Sequence, residues 1–173
     1  GMEMIKRGAG IDIQDKGGYT AMMTAARNNQ PQLGMKMIKR GAGLDFHDNS
    51  GWIALMSAAR NNQPQLGMEM IKRGAGLDFQ DKGGYTALMT AARNNQPQLG
   101  MEMIKRGAGL DFHDKGGYTA LIIAARNNQP LLGSHLNNRA AALDHPYLSP
   151  SLALFRPALH THLPLPIRIF YPC

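Results

Sequence analysis

GMEMIKRGAGLDFQDKGGYTALMTAARNNQPQL, residues 67–99, returns almost unchanged 33 residues earlier and 33 residues later. A fixed period in this range marks a stacked repeat array, in which each unit is one supersecondary element that cannot bury its apolar face alone. Laid out from their aspartates, units begin at Asp15, Asp48, Asp81 and Asp114, behind a half-unit of residues 1–14. Gly1 falls in register with Gly34, Gly67 and Gly100, so the opening GMEM reads as repeat sequence and not as a tag remnant. The fourth unit decays in its second half, where Arg139, Ala141, Leu143 and Asp144 keep the phase of Arg106, Ala108, Leu110 and Asp111. Beyond about residue 145 the phase is lost, which divides the chain into 1–14, four units over 15–145, and a tail of 146–173.

A chain of 173 residues would ordinarily suggest one globular domain, but the length of an array measures only how many units are stacked. Apolar runs such as residues 120–125 are far too short to span a bilayer, so membrane insertion is not expected. Lys6 and Arg7 interrupt the start before any apolar stretch, and no secretory signal can be read. The single cysteine, Cys173, has no intrachain partner, which excludes a disulfide framework and fits a reducing, cytoplasmic setting. A formal net charge of +7, from 19 Lys and Arg against 12 Asp and Glu, favours acidic partners.

Within the third unit, Ala87, Leu88, Ala91 and Ala92 fall on one face of a short helix. Thr86 suits its N-cap, and Asn95 can end it because Asn tolerates the left-handed conformation. Pro97 then stands where a second helix begins, at a position where its missing donor costs nothing. That helix is expected over residues 97–106, with Leu99, Met103 and Ile104 inward and Gly107 as its stop. Lys105 and Arg106 complement the negative end of its dipole. The glycine-rich stretch 108–118 suits a hairpin-like connection.

Asp81, Gly84, Thr86, Leu88, Ala91, Ala92, Gly107 and Ala108 stand at the spacings of the ankyrin repeat unit, D-x-x-G-x-T-P-L-H-x-A-A followed by a second helix and G-A-D, and the chain resembles that family. The resemblance implies an all-α solenoid of helix-turn-helix repeats with hairpin-like loops between units. Departures recur from copy to copy. Ala21, Ala54, Ala87 and Ala120 replace the family's Pro, and Met23, Met56, Met89 and Ile122 replace its His, so apolar packing must stand in for hydrogen bonds between units. Gly34, Gly67, Gly100 and Gly133 lie inside the second helix, where glycine costs about 0.5–1 kcal/mol relative to alanine, so a looser helix is expected. Ile53 takes the place of the capping Thr, a loss of about 1 kcal/mol that makes the second unit the expected weak link.

The resemblance also implies that partners meet the hairpin tips and the exposed side of the first helix, on a concave surface. Those positions are Lys16, Tyr19, Arg27 and Asn28, then Asn49, Trp52, Arg60 and Asn61, then Lys82, Tyr85, Arg93 and Asn94, and finally Lys115, Tyr118, Arg126 and Asn127. Aromatic and arginine side chains are the commonest interface anchors, and a ladder of them points to a protein partner presenting acidic and apolar groups. Nucleic-acid binding ranks second, because arginines beside aromatics can track phosphates and stack bases. A structural or vestigial fragment is the third reading, suggested by the near-identical copies.

No enzyme is expected, nor any cofactor. Equivalent positions in neighbouring units should lie about 10 Å apart. His47 and His113, two units apart, therefore cannot share a metal at bond lengths of about 2 Å. No phosphate loop or nucleophile motif is present. The tail holds most of the prolines and an isolated pair, His160 and His162, and is expected to be irregular. At the other end Met2, Met4 and Ile5 have no first helix to cover them, which predicts a fragment of a longer array or self-association through that edge.

Overall fold

A computed structural model of the protein describes residues 10–144. Among them, eight helices form four pairs: α1 (Ala21–Arg27) with α2 (Pro31–Lys39), α3 (Ala54–Arg60) with α4 (Pro64–Lys72), α5 (Ala87–Arg93) with α6 (Pro97–Lys105), and α7 (Ala120–Arg126) with α8 (Pro130–Asp144). First helices pack on first helices, and second helices on second helices, along the array. Isolated antiparallel bridges, His47 to Ile53 and His113 to Thr119, join the arms of the connecting hairpins.

Local chemistry accounts for the helix ends. The hydroxyls of Thr20, Thr86 and Thr119 accept bonds from the amides of Met23, Met89 and Ile122 at 3.2, 3.2 and 3.4 Å, capping α1, α5 and α7. Asn29, Asn62, Asn95 and Asn128 each take a φ of 52–54°, the left-handed turn that separates the paired helices. The next helix of each pair then starts on a proline. Gly41, Gly74 and Gly107, with φ of 80–90°, stop α2, α4 and α6. Ala140 stands at the corresponding place in the fourth repeat, and α8 runs on to 15 residues where α6 has nine. Ile53 makes no cap bond, as expected, but its side chain is fully buried, so apolar contact offsets the missing hydroxyl.

The core is one continuous apolar strip. Met22, Leu55 and Leu88 are buried in successive first helices, as are Met23, Met56 and Met89, which stand where the family carries His. Ile122, the fourth in that row, departs from the expected inward packing and is 41% exposed. Its counterparts are covered by the following repeat, and α7 has no following first helix among the described residues.

The helical glycines correct the expectation of looseness. A Cβ placed on Gly34, Gly67 or Gly100 would lie 2.8–2.9 Å from the Cδ1 of Leu66, Leu99 or Leu132, each fully buried in the next repeat. Each of these three glycines is the seat of a leucine, and the helical penalty is exchanged for close packing between second helices. Gly133 has nothing within 4 Å of the same position.

These contacts give opposite signs to the same substitution. Gly67→Ala gains about 0.5–1 kcal/mol of helix propensity but overpacks a sealed leucine at about 1–3 kcal/mol, so its urea midpoint should fall. Gly133→Ala meets no neighbour, and its midpoint should rise. Equal shifts in the two variants would rule out the leucine seat.

Candidate protein-binding surface

Each hairpin is built on an aspartate. Asp15 Oδ1 accepts from the amides of Gly17 and Tyr19 at 2.8 and 2.9 Å; Asp48 from Ser50 and Trp52 at 2.7 and 2.9 Å; Asp81 from Gly83 and Tyr85, both at 2.8 Å; Asp114 from Gly116 and Tyr118 at 2.8 and 2.9 Å. This is the Asx turn, which allows the chain to reverse in very few residues. The tips also join one another through backbone bonds, Asn49 N to Gly17 O at 2.9 Å, Lys82 N to Ser50 O at 2.8 Å and Lys115 N to Gly83 O at 2.9 Å. A Cβ on Gly18 would sit 2.9 Å from the Cα of Asp48, and only glycine permits that approach at φ 81°.

The returning arm of each hairpin delivers an aromatic ring, and the end of each first helix delivers an arginine onto it. Arg27 lies over Tyr19 at 5.3 Å, Arg60 over Trp52 at 5.4 Å, Arg93 over Tyr85 at 5.5 Å and Arg126 over Tyr118 at 4.5 Å, all within cation–π range. The four guanidinium groups remain exposed. Between the first and second repeats a polar hollow of about 380 Å³ opens among Tyr19, Arg27, Asp48, Trp52 and Arg60.

The tyrosines also tie repeats together. Hydrogen bonding to Asp48, reinforced by burial, raises the Tyr19 pKa above its ordinary 10.0, and Asp114 does the same for Tyr85. The Asp114 carboxyl is held below its ordinary 3.8, first by the Tyr118 amide and also by the Tyr85 hydroxyl and the Gly116 amide, against an opposing contribution from burial. Trp52 carries no hydroxyl, so the second repeat cannot make this link.

All sixteen residues singled out from the sequence lie within the described region. Lys16, Asn49, Lys82 and Lys115 sit exposed at the tips, and the rings and arginines form the four pairs. Asn28 is exposed at the end of α1. The other asparagines are partly committed to the fold: Asn49 Nδ2 donates to Lys16 O at 3.1 Å, Asn61 to Ala26 O at 3.3 Å, Asn94 to Thr90 O at 2.8 Å and Asn127 to Ile123 O at 3.0 Å. His47 and His113 are exposed in separate hairpins, while His145, His160 and His162 lie outside the described residues.

Two sets of glutamines were not singled out from the sequence. Gln63 and Gln129, ahead of the prolines, donate to the carbonyls of Ala26 and Ala92 at the end of the preceding repeat's first helix. Gln14 bridges Gly18 O at 2.6 Å and His47 O at 3.0 Å, and Gln80 bridges Gly84 O at 2.8 Å and His113 O at 3.2 Å, each spanning two hairpins. For the first set, an unvarying polar residue before a helix-starting proline was the available signal; the second set stands before the turn aspartate and alternates with His47 and His113, so the sequence offered none.

A family model described as ankyrin repeats (3 copies) matches residues 2–67 and 67–136. No curated protein matches the chain.

The hydrogen-bonded hairpins imply a pH dependence with a definite sign. A carboxyl whose pKa is depressed in the folded state contributes stability above 3.8 that is lost as pH falls through the folded value. Asp114→Asn should therefore be less stable than the parent near neutrality, and the gap should close as pH drops below 3.8. Tyr85, raised above 10.0, contributes stability that is present below 10.0 and lost as pH rises through its folded value, so the gap between parent and Tyr85→Phe should close only in strong alkali. Urea midpoints across pH test both, and a constant gap in either series would remove the linkage.

Proposed function

Because the chain belongs to the ankyrin repeat family, whose repeats are protein–protein interaction modules and are typically not enzymes, we propose that it binds a protein segment carrying acidic and apolar groups on the surface formed by its hairpin tips and first helices. The observation that carries this reading is the four-fold pairing of Arg27, Arg60, Arg93 and Arg126 with Tyr19, Trp52, Tyr85 and Tyr118. A guanidinium parked on a ring keeps its N–H edges free for a carboxylate, and its orientation is settled before the partner arrives. Lys16, Asn49, Lys82 and Lys115 extend the positive row along the tips, and Asn28, Asn61, Asn94 and Asn127 offer side-chain carbonyls beside it. On this reading the family's concave face is used in the usual way, with an acidic preference set by this chain's own arginines.

The nucleic-acid alternative is less well supported by the same geometry. A ring already covered by its own guanidinium cannot stack a base on that face. Part of the basic excess is also held elsewhere, since Arg73 pairs with Glu69 at 3.0 Å and Arg106 with Glu102 at 2.9 Å at the ends of α4 and α6.

Selection from a random peptide display library on the immobilised full chain tests the proposal. Enriched peptides should combine Asp or Glu with apolar residues. A variant with Arg60, Arg93 and Arg126 changed to alanine, with unchanged circular dichroism, should bind them about tenfold or more weakly. Equal binding by the variant, or peptides without acidic residues, would refute it. Tighter binding to single-stranded polynucleotide that collapses between low and moderate salt would favour the alternative.

A further inference from the structure

The second repeat departs from the third at few positions, and those positions are not scattered. Residues 47–79 differ from residues 80–112 only at His47, Asn49, Ser50, Trp52, Ile53 and Ser57, which correspond to Gln80, Lys82, Gly83, Tyr85, Thr86 and Thr90. The second helix and the arm that follows it are unchanged. Ile53 belongs to the core, and His47 and Asn49 are exposed on the hairpin. Ser50, Trp52 and Ser57 all line the polar hollow of about 380 Å³ between the first and second repeats, beside Arg27 and Arg60. Each of the three brings a donor that its counterparts lack or hold elsewhere. Where Ser50 stands, the other repeats carry Gly17, Gly83 and Gly116. Trp52 replaces a phenol with an indole N–H, which donates and cannot accept. Ser57 is 8% exposed, yet its hydroxyl reaches Ile53 O only at 3.5 Å, whereas Thr24 and Thr90 bond the equivalent carbonyls at 3.0 and 2.9 Å.

We propose that this hollow takes the phosphate of a phosphorylated serine or threonine in the bound segment, with Arg27 and Arg60 on its oxygens and Ser50, Trp52 and Ser57 completing the donor set. A phosphomonoester near neutral pH carries close to two negative charges and three strong acceptor oxygens, which matches two guanidinium groups and a group of neutral donors. Arginine forks pair with phosphate bidentately, and both of these are already seated on rings. A carboxylate, with one charge and two oxygens, leaves part of that set unmatched. The carboxylate on the wall does not compete for the arginines: Asp48 is 5% exposed and accepts from the Ser50 and Trp52 amides at 2.7 and 2.9 Å and from the Tyr19 hydroxyl. Within the acidic-segment reading, on which this rests, the second repeat selects a phosphorylated residue where the third and fourth, without the added donors, select Asp or Glu.

Fluorescence anisotropy of the full chain with labelled degenerate peptide pools tests this, the pools being identical except for a central phosphoserine, aspartate or serine. The phosphoserine pool should bind about tenfold or more tightly than the aspartate pool. A variant carrying Ser50→Gly, Trp52→Tyr and Ser57→Thr gives the second repeat residues with which the third already folds, and it keeps both arginines. It should lose the preference for phosphoserine while binding the aspartate pool as the parent does. Trp52 is the single tryptophan of the chain, so the parent's intrinsic emission should change on adding the unlabelled phosphoserine pool and not on adding the serine pool. Equal affinity of the parent for the phosphoserine and aspartate pools overturns the proposal and leaves the acidic-segment reading in place. Full preference in the variant, or inorganic phosphate binding as tightly as the phosphoserine pool, also overturns it. If neither charged pool binds more tightly than the serine pool, the acidic-segment reading fails and takes this one with it.

Discussion

A missing methyl group in each of the first three second helices determines how the repeats stack. At Gly34, Gly67 and Gly100 the next repeat's leucine comes against the helix where a Cβ would stand, and that contact sets the distance between neighbouring second helices. With the second helices spaced in this way, the first helices meet through small residues, Ala25 and Ala26 and their equivalents in the second and third repeats, all but fully buried. The hairpins must then fall into the same register. Aromatic and arginine rows are a consequence of that stacking, since each pair is made within one repeat and the repeats supply only its translation.

The pairing of Arg27 with Tyr19, and its three copies, also explains why long flexible side chains can form an ordered surface. An exposed arginine on a helix end samples many rotamers and loses that freedom on binding. Stacking on a ring that is itself anchored by the Asx turn restrains it beforehand. The Asp15 family of aspartates is thus structural: their carboxylates are spent on two backbone amides each, and on Tyr19 and Tyr85 where a hydroxyl reaches the next hairpin.

What the sequence revealed was the local part. Thr86 as a cap, Asn95 as the left-handed turn, Pro97 as a helix start and Gly107 as a stop are each dictated by the residue's own backbone or side-chain chemistry, and all four are found in those roles. The all-α solenoid followed from their period. The helical glycines were misjudged because helix propensity is a property of one segment, whereas their value lies in a leucine 32 residues away. Ile122 was misjudged for the related reason that its burial belongs to the next repeat. For the candidate surface, the positions were readable but not their chemistry: that Arg93 would lie on Tyr85, or that Asn94 would spend its amide on Thr90 O, depends on where two elements cross.

Near-identical letters do not make identical boundaries. Between the first and second repeats, Gln63 and Asn61 both reach Ala26 O, Gln14 reaches His47 O and Tyr19 meets Asp48. Between the third and fourth, Gln129 reaches Ala92 O, Gln80 reaches His113 O and Tyr85 meets Asp114. The central boundary is built differently. Gln96 turns to Asn62 Oδ1 at 2.8 Å, His47 stands where Gln14 and Gln80 bridge, and Trp52 has no hydroxyl to offer Asp81. Beside that Gln96 bond and the packing of α3 on α5 stand the Leu99 seat on Gly67, the Asp45 bond to the Gly76 amide at 2.8 Å, and the tip bond from Lys82 to Ser50. In a solenoid, where each repeat is stabilised only by its neighbours, two pairs stitched by hooks to helix-end carbonyls and joined by a boundary with a different polar set make the middle the place where cooperativity between halves is decided. The substitutions that distinguish the second repeat, Trp52 and His47 among them, alter both its exposed surface and its junction with the third, so selection for a partner at Trp52 would also change how firmly the two halves are coupled.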